Sequence, residues 1–195
     1  MTDPALRARR LPVTASVRIA APPADVWAAI AAPGNLGPTH PYVRRNPVER
    51  WPGAGGAGPG ASGVGARDRL EYYSGLRMTR EVDAWHDGAD GVLGYDLRIW
   101  HSRRAVSSVR WRVTAGGAGR SRLTITVWPY LLDDWPPVAR HAGQALGVWP
   151  AMRWYLRSVV RGFKWWVETG QPVRRNQFGP HPLFSPAGAE PDPAP

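Results

Sequence analysis

Residues 148–168 (VWPAMRWYLRSVVRGFKWWVE) carry the longest helical apolar period in this chain, and the remainder must provide a surface to bury it. Met152, Tyr155, Leu156, Val159, Phe163, Trp166 and Val167 recur at steps of three and four, while Arg153, Arg157, Arg161 and Lys164 form a basic stripe on another side. The chain before it offers strands. Residues 67–74, 76–86, 91–101, 107–115 and 121–130 read as strands joined by Gly75, Asp87-Gly88-Ala89-Asp90, Ser102-Arg103-Arg104 and Gly116-Gly117-Ala118-Gly119. Connections this short imply an antiparallel meander.

One face of the meander is apolar, with Leu93, Tyr95, Leu97 and Ile99, then Val109, Trp111 and Val113, then Leu123, Ile125 and Val127. Asp96, Arg98, Trp100, Arg110, Arg112 and Trp128 fall in the opposite phase, which predicts one dry side and one wet, basic side. Ahead of the meander, Val13, Ala15, Val17 and Ile19 alternate as a further strand. Pro22-Pro23 then opens a helix with Asp25 in its first turn, ended by Pro33-Gly34 and followed by a short helix or turn over residues 35–40. A strand over 42–51 is interrupted by Pro47, which marks an edge or a bulge. Gly143, Gly147 and Pro150 are expected to divide or kink the chain before the long helix, and Gly170 and Pro172 to end it.

At 195 residues and 43% apolar content this is one domain, expected over 11–173, with a disordered arm over 1–10 and a partly disordered extension over 174–195. Residues 52–66, nearly all Gly, Ala, Pro and Ser, read as a flexible loop. Their Gly53-x-Gly55-x-x-Gly58 spacing matches a dinucleotide fingerprint only formally, because Pro59-Gly60 stands where the helix must begin. There is no cysteine, no secretory leader and no 18-residue apolar run, so a soluble cytoplasmic protein is the expectation. The net charge of +10 is segmental: residues 97–167 hold twelve basic groups against Asp133 and Asp134 alone. A solvated Arg-rich surface is the plainer reading of that excess, and an anionic partner the sharper one.

A strand, two short helices, a meander and a long C-terminal helix make an α+β fold: a curved antiparallel sheet of about seven strands wrapped around the helix. Val17-x-Ile19-x-Ala21-Pro22-x-x-x-Val26-Trp27-x-x-Ile30 and Phe163-Lys164-x-x-x-Glu168-Thr169-Gly170-x-Pro172-Val173 resemble the START-like (SRPBCC) superfamily, the helix-grip fold that includes polyketide cyclases and dehydratases. The resemblance covers residues 12–173 and implies a cavity between sheet and helix for a hydrophobic small molecule, lipid or polyketide. It implies fold more strongly than function.

The histidines at 40, 86, 101, 141 and 181 show no metal-ligand spacing, and no nucleophile elbow is present, so neither a metal, a cofactor nor a serine hydrolase is expected. Cavity candidates from the apolar phases are Tyr72, Met78, Arg80, Tyr95, His101, Trp111, Met152, Tyr155 and Val159. Arg80 is the anomaly, a charge in an apolar series, and needs either an anionic ligand oxygen or an internal partner such as Glu71 or Asp96. Trp85, Trp100 and Trp128 take the outward phase, and Trp154 and Trp165 share a helix face with Arg161. That pattern suits a membrane interface or a partner; stacking on the protein's own surface under residues 174–185 is the plainer alternative.

Three readings follow. The first is a binding module for a hydrophobic or aromatic small molecule. The second is a polyketide cyclase or dehydratase using the same cavity. The third is an interaction protein whose basic, Trp-rich surface meets anionic membrane or nucleic acid, with no nucleic-acid recognition motif to favour the latter. Titratable groups converging in the cavity favour catalysis, and a single polar anchor favours carriage. The pattern sets neither the ligand nor the oligomeric state.

Overall fold

The computed structural model describes residues 10–52 and 63–188; the expected arm apart from Arg10, most of the Gly-rich loop and residues 189–195 lie outside the described residues. The elements are β1 (Val13–Ile19), α1 (Pro23–Ala31), α2 (Leu36–Thr39), β2 (Val43–Arg45), β3 (Val48–Arg50), β4 (Arg67–Tyr72), β5 (Arg77–Asp87), β6 (Leu93–His101), β7 (Arg104–Ala115) and β8 (Ser121–Pro129). They are followed by α3 (Pro137–Gly143), a π-helical turn (Gln144–Val148) and α4 (Trp149–Thr169). One antiparallel sheet runs β1-β8-β7-β6-β5-β4-β2, with β3 also paired to β4. Residues 42–51 form two short strands rather than one, because Pro47 has no N–H for the ladder.

The strand phases hold until β5. Between the pairs Val82–Leu97 and Ala84–Asp96 the β5 strand carries one extra residue, Asp83, whose carboxylate accepts Arg98 Nη2 at 2.7 Å. Past this bulge the side-chain phase inverts. Trp85 therefore faces inward, 5.7 Å from Tyr95 in a stacked pair and 4.8 Å from Trp27 edge-on, against the outward placement expected from an unbroken period of two. Trp100 and Trp128 do stay on the outer side, half-buried beneath the guanidinium groups of Arg98 and Arg110. On that same side Asp96 takes Arg112 at 2.8 Å and Arg110 at 3.3 Å, so the basic face is partly neutralised by its own carboxylates.

Helix α4 is gripped by its C-terminal half. A Cβ at Gly162 would lie 2.0 Å from the Thr39 carbonyl oxygen, so the helix backbone meets the end of α2 with no room for a side chain. Phe163, fully buried, sits edge-on to Trp111 at 5.0 Å. Glu168 Oε1 accepts the Ala20 N–H at 2.7 Å and Lys164 Nζ at 2.6 Å, and Lys164 also donates to the Arg18 carbonyl at 3.1 Å. The two sequence segments that carry the family resemblance thus bond to each other. Gly170, left-handed at φ 68°, returns its N–H to Trp166 and ends the helix.

The N-terminal end differs from expectation. Gly143 and Val148 keep right-handed helical backbone angles, so α3, the π turn and α4 run on without a break. Pro150 falls in the first turn of α4, directly after the π turn, where its missing N–H coincides with the change of hydrogen-bond register. After the helix, residues 173–185 form a strap across the end of the sheet: Val173 donates to Pro38, Asn176 to Pro41, and Ser74 to the Phe184 carbonyl. Phe178 covers Arg161 at 4.7 Å and Trp154 lies 5.0 Å from His181, the self-stacking named above as the plainer alternative.

The Gly162 contact yields a direct test. Gly162→Ala should destabilise the fold by about 1–3 kcal/mol through overpacking against backbone. Gly147→Ala, at a position with nothing within 4 Å, should change stability by less than about 1 kcal/mol. Urea unfolding of both variants measures the difference.

Candidate functional site

Where α4 parts from β5, β6 and β7, a cavity of about 250 Å³ remains. Its wall is almost wholly apolar: Leu70, Met78, Leu97, Ile99, Val109 and Ile125 from the sheet, Met152, Leu156 and Val159 from α4. Tyr72, Arg80, His101, Trp111 and Tyr155 line it as well. Tyr95, also expected there, does not; it is packed behind the wall among Trp27, Trp85 and Trp111. Burial grades along the cavity, from His40, Arg80 and Leu97 at the closed floor to exposed His101 and Leu131 at the mouth. The strap contributes Phe184, which lies 4.5 Å from Tyr155 and 4.8 Å from Tyr72.

The floor holds a buried ion pair. Arg80 Nε donates to Asp68 Oδ1 at 2.7 Å, and Nη2 donates both to Asp68 Oδ2 and, at 2.9 Å, to Asn35 Oδ1. Arg80 is 4% exposed and Asp68 0%. Neither expected partner is used: Glu71 faces Arg77, and Asp96 lies on the outer side of the sheet. The reason is register, because Asp68 stands directly opposite Arg80 and shares the inward phase with Leu70 and Tyr72. Burial works against the guanidinium charge, but the Asp68 charge and hydrogen bonds outweigh it and raise the Arg80 pKa. One group is left over. Arg80 Nη1 is buried without a hydrogen-bond partner, on a residue that lines the cavity.

A second polar group adjoins it. His40 Nδ1 accepts the Tyr42 backbone N–H at 3.1 Å, so in the neutral ring the proton is on Nε2, which lies 2.9 Å from the Tyr155 hydroxyl. Tyr155 in turn lies 3.0 Å from the Tyr72 hydroxyl. Two hydroxyl protons and one link between the oxygens leave one phenolic proton unused by the pair. Burial and the Arg80 charge lower the His40 pKa to about 3 and keep the ring neutral. Burial pushes Tyr72 up to about 12 and Tyr155 well above its ordinary value, so both phenols stay protonated.

Sequence reasoning missed Asp68, Asn35, His40 and Phe184. Asp68 was legible in principle from the alternation Asp68-x-Leu70-x-Tyr72, which places it on the face of a named candidate. Asn35 and His40 flank a four-residue helix with no periodic signal, and Phe184 follows Pro180 and Pro182 in a segment that composition marks as irregular.

Among the described residues no cluster of three His, Cys, Asp or Glu side chains is placed to hold a metal, and no helix is long and apolar enough to cross a membrane. No curated protein sequence matches the chain. Among solved structures, the Zhui aromatase/cyclase from Streptomyces sp. R1128 is similar at 19% identity and a TM-score of 0.52, over 84% of this chain and 99% of that one. DynU16, from the dynemicin biosynthetic locus, matches at 19% identity and a TM-score of 0.55 over 84% of this chain, which spans 49% of its length. Protein jhp0584 of Helicobacter pylori gives a TM-score of 0.60 at 14% identity, over 81% and 88% of the two chains. At such identities these likenesses establish the fold alone. The family profile described as polyketide cyclase / dehydrase and lipid transport matches residues 10–170, and this chain belongs to that family.

Proposed function

We propose that the protein binds an apolar, ring-containing small molecule that presents an oxygen acceptor to the cavity floor. The observation that carries this reading is Arg80, a guanidinium on the lining of an otherwise apolar cavity whose Nη1 is buried without a hydrogen-bond partner. A buried donor without an acceptor costs free energy, and a carbonyl, phenolate or carboxylate oxygen would remove that cost. The unused phenolic proton of Tyr72 and Tyr155 offers a second donor nearby. A dry cavity of about 150 Å³ accommodates one benzene ring. The 250 Å³ here accordingly suits about two fused rings.

A second reading, cyclase or dehydratase chemistry, is favoured by the convergence of His40, Tyr72, Tyr155 and Arg80 in the cavity. These four groups act by donation. Arg80 and the free phenolic proton would stabilise negative charge growing on a substrate oxygen, as an oxyanion site does. None of them is a base near neutral pH, since His40 is neutral with its Nδ1 already engaged. At the mouth, His101 Nδ1 donates to the Arg77 carbonyl at 3.1 Å, which leaves Nε2 of the neutral ring as the lone-pair nitrogen. His101 is the residue assigned to proton abstraction in this reading.

Titration of the protein with 2-naphthoate and with naphthalene tests the binding reading. The carboxylate should bind about tenfold or more tightly than the hydrocarbon and raise Tm in proportion to its saturation. Val159→Phe, which fills the cavity, should abolish binding of both. Failure of the wild-type protein to take up either compound would sink the proposal.

The His40 assignment predicts a pH dependence of stability. Its folded pKa, about 3, lies below the ordinary value of 6.5, so the unfolded chain binds the proton first as pH falls. Stability from this group is therefore complete above pH 6.5 and is lost progressively down to about pH 3. Between pH 7 and pH 5 the loss should be about 2 kcal/mol. His181, also lowered by burial, shifts stability in the same direction. His40→Gln should remove the larger part of the pH 7-to-5 loss, read as the difference in urea midpoints between variant and wild type.

A further inference from the structure

The segment from Leu131 to Val148 is built inside out. Val138 is 85% exposed and Leu146 83%, with Leu131 and Trp135 about half exposed beside them. Gln144, by contrast, is 3% exposed with neither amide atom hydrogen-bonded, and Arg140 Nε is likewise buried and unpartnered. A segment folded only for this chain's interior would show the reverse arrangement. α3 and the π turn extend the α4 helix, and among the described residues neither makes extensive backbone contact with a strand.

Position and charge give the segment an occupant. Leu131 lines the cavity mouth, and the Arg104–Asp134 ion pair, at 2.7 Å, ties the β6–β7 turn to the same end. Asp133 and Asp134, the only acids between residues 97 and 167, are both consumed by arginines, Arg10 and Arg104. Arg103, Arg140, Arg153 and Arg157 have no carboxylate partner among the described residues. Exposed aliphatic side chains together with arginines that lack a carboxylate partner match the layered chemistry of an anionic bilayer, with headgroup phosphates outside and acyl chains beneath. Val138 and Leu146 add nothing to phosphate neutralisation or aromatic stacking, the terms that dominate binding to nucleic acid without a recognition motif.

We propose that the α3–π-turn segment docks the protein on an anionic lipid surface, with Val138 and Leu146 entering the acyl boundary and the cavity mouth facing the membrane. Docking of this kind places the mouth where an apolar ligand can pass without crossing water. The surface does not rest on the ligand reading, since its exposed residues are distinct from the Arg80 floor.

The protein is incubated with vesicles of phosphatidylcholine containing about 30% phosphatidylglycerol, and with phosphatidylcholine alone, and sedimented at low and high salt. Binding to the anionic vesicles should exceed that to the neutral ones by about tenfold or more, and fall with salt. The Val138→Glu/Leu146→Glu double variant changes only exposed positions, keeps the wild-type Tm, and should lose about tenfold of that affinity. The chain has no cysteine, so Leu146→Cys carries a single polarity-sensitive label. That label should shift to the blue on anionic vesicles, whereas one on Thr114→Cys, exposed at the far end of β7, should not. Absence of vesicle binding overturns the proposal. So does anionic binding that the double variant leaves intact, and so does a dimer in light scattering that the double variant dissolves, which would assign the face to a second copy of the chain.

Discussion

The backbone contact between Gly162 and Thr39 is the constraint on which the site depends. It holds the C-terminal half of α4 against the end of α2, while Phe163 on Trp111 and the Lys164–Glu168 clamp on β1 fix its rotation. A helix pinned near one end and crossing a curved sheet must separate from it toward the other. The cavity is that separation, and its mouth lies at the unpinned end. His40 follows Thr39 directly, so the contact that seats the helix also delivers the imidazole to Tyr155. Fold and site share a single point of registration.

The arginines divide into two classes by what surrounds them. On the outer face, Arg98, Arg110 and Arg112 sit over carboxylates and indole rings in contact with solvent, where each pair contributes roughly 0–1 kcal/mol. Arg80 is in the other class. Its burial is tolerated because Asp68 and Asn35 meet three of its hydrogen-bonding directions, and removing one partner of such a pair costs about 3–5 kcal/mol. A merely structural pair would be expected to satisfy the whole guanidinium. In Arg80 one group, Nη1, is left without a partner, which is what the proposed binding reading draws on.

Much of the fold was legible in the sequence because two strong periodicities state it. The strand phases of β6, β7 and β8 and the apolar side of α4 follow from periods of two and 3.6, and they place Met78, Trp111, Met152 and Val159 around one space. What the periodicities could not carry is a change of phase. The single extra residue at Asp83 moves Trp85 from the outer face to the core, and nothing local distinguishes that aspartate from the other strand acids. The partner of Arg80 is a cross-strand neighbour, fixed by hairpin register rather than by spacing along the chain. His40 and Phe184 come from short irregular segments that tertiary bonds seat, Asn176 on Pro41 and Ser74 on Phe184, and these have no periodic pattern to read.

The chemistry of the floor follows from counting protons. His40 gives its Nε2 proton to Tyr155, the Tyr155–Tyr72 link uses one phenolic proton, and one remains. With the imidazole protonating only near pH 3 and Tyr72 ionising only near pH 12, this count is unchanged across the physiological range. Arg80 adds a further fixed donor. The cavity floor therefore keeps a fixed set of donors across that range, and under the binding reading proposed above these would favour a ligand that brings an oxygen acceptor on an apolar body. Discrimination of that kind rests on leaving buried donors unpaired when the wrong ligand enters, which costs more than any mismatch of apolar surface in a cavity this small.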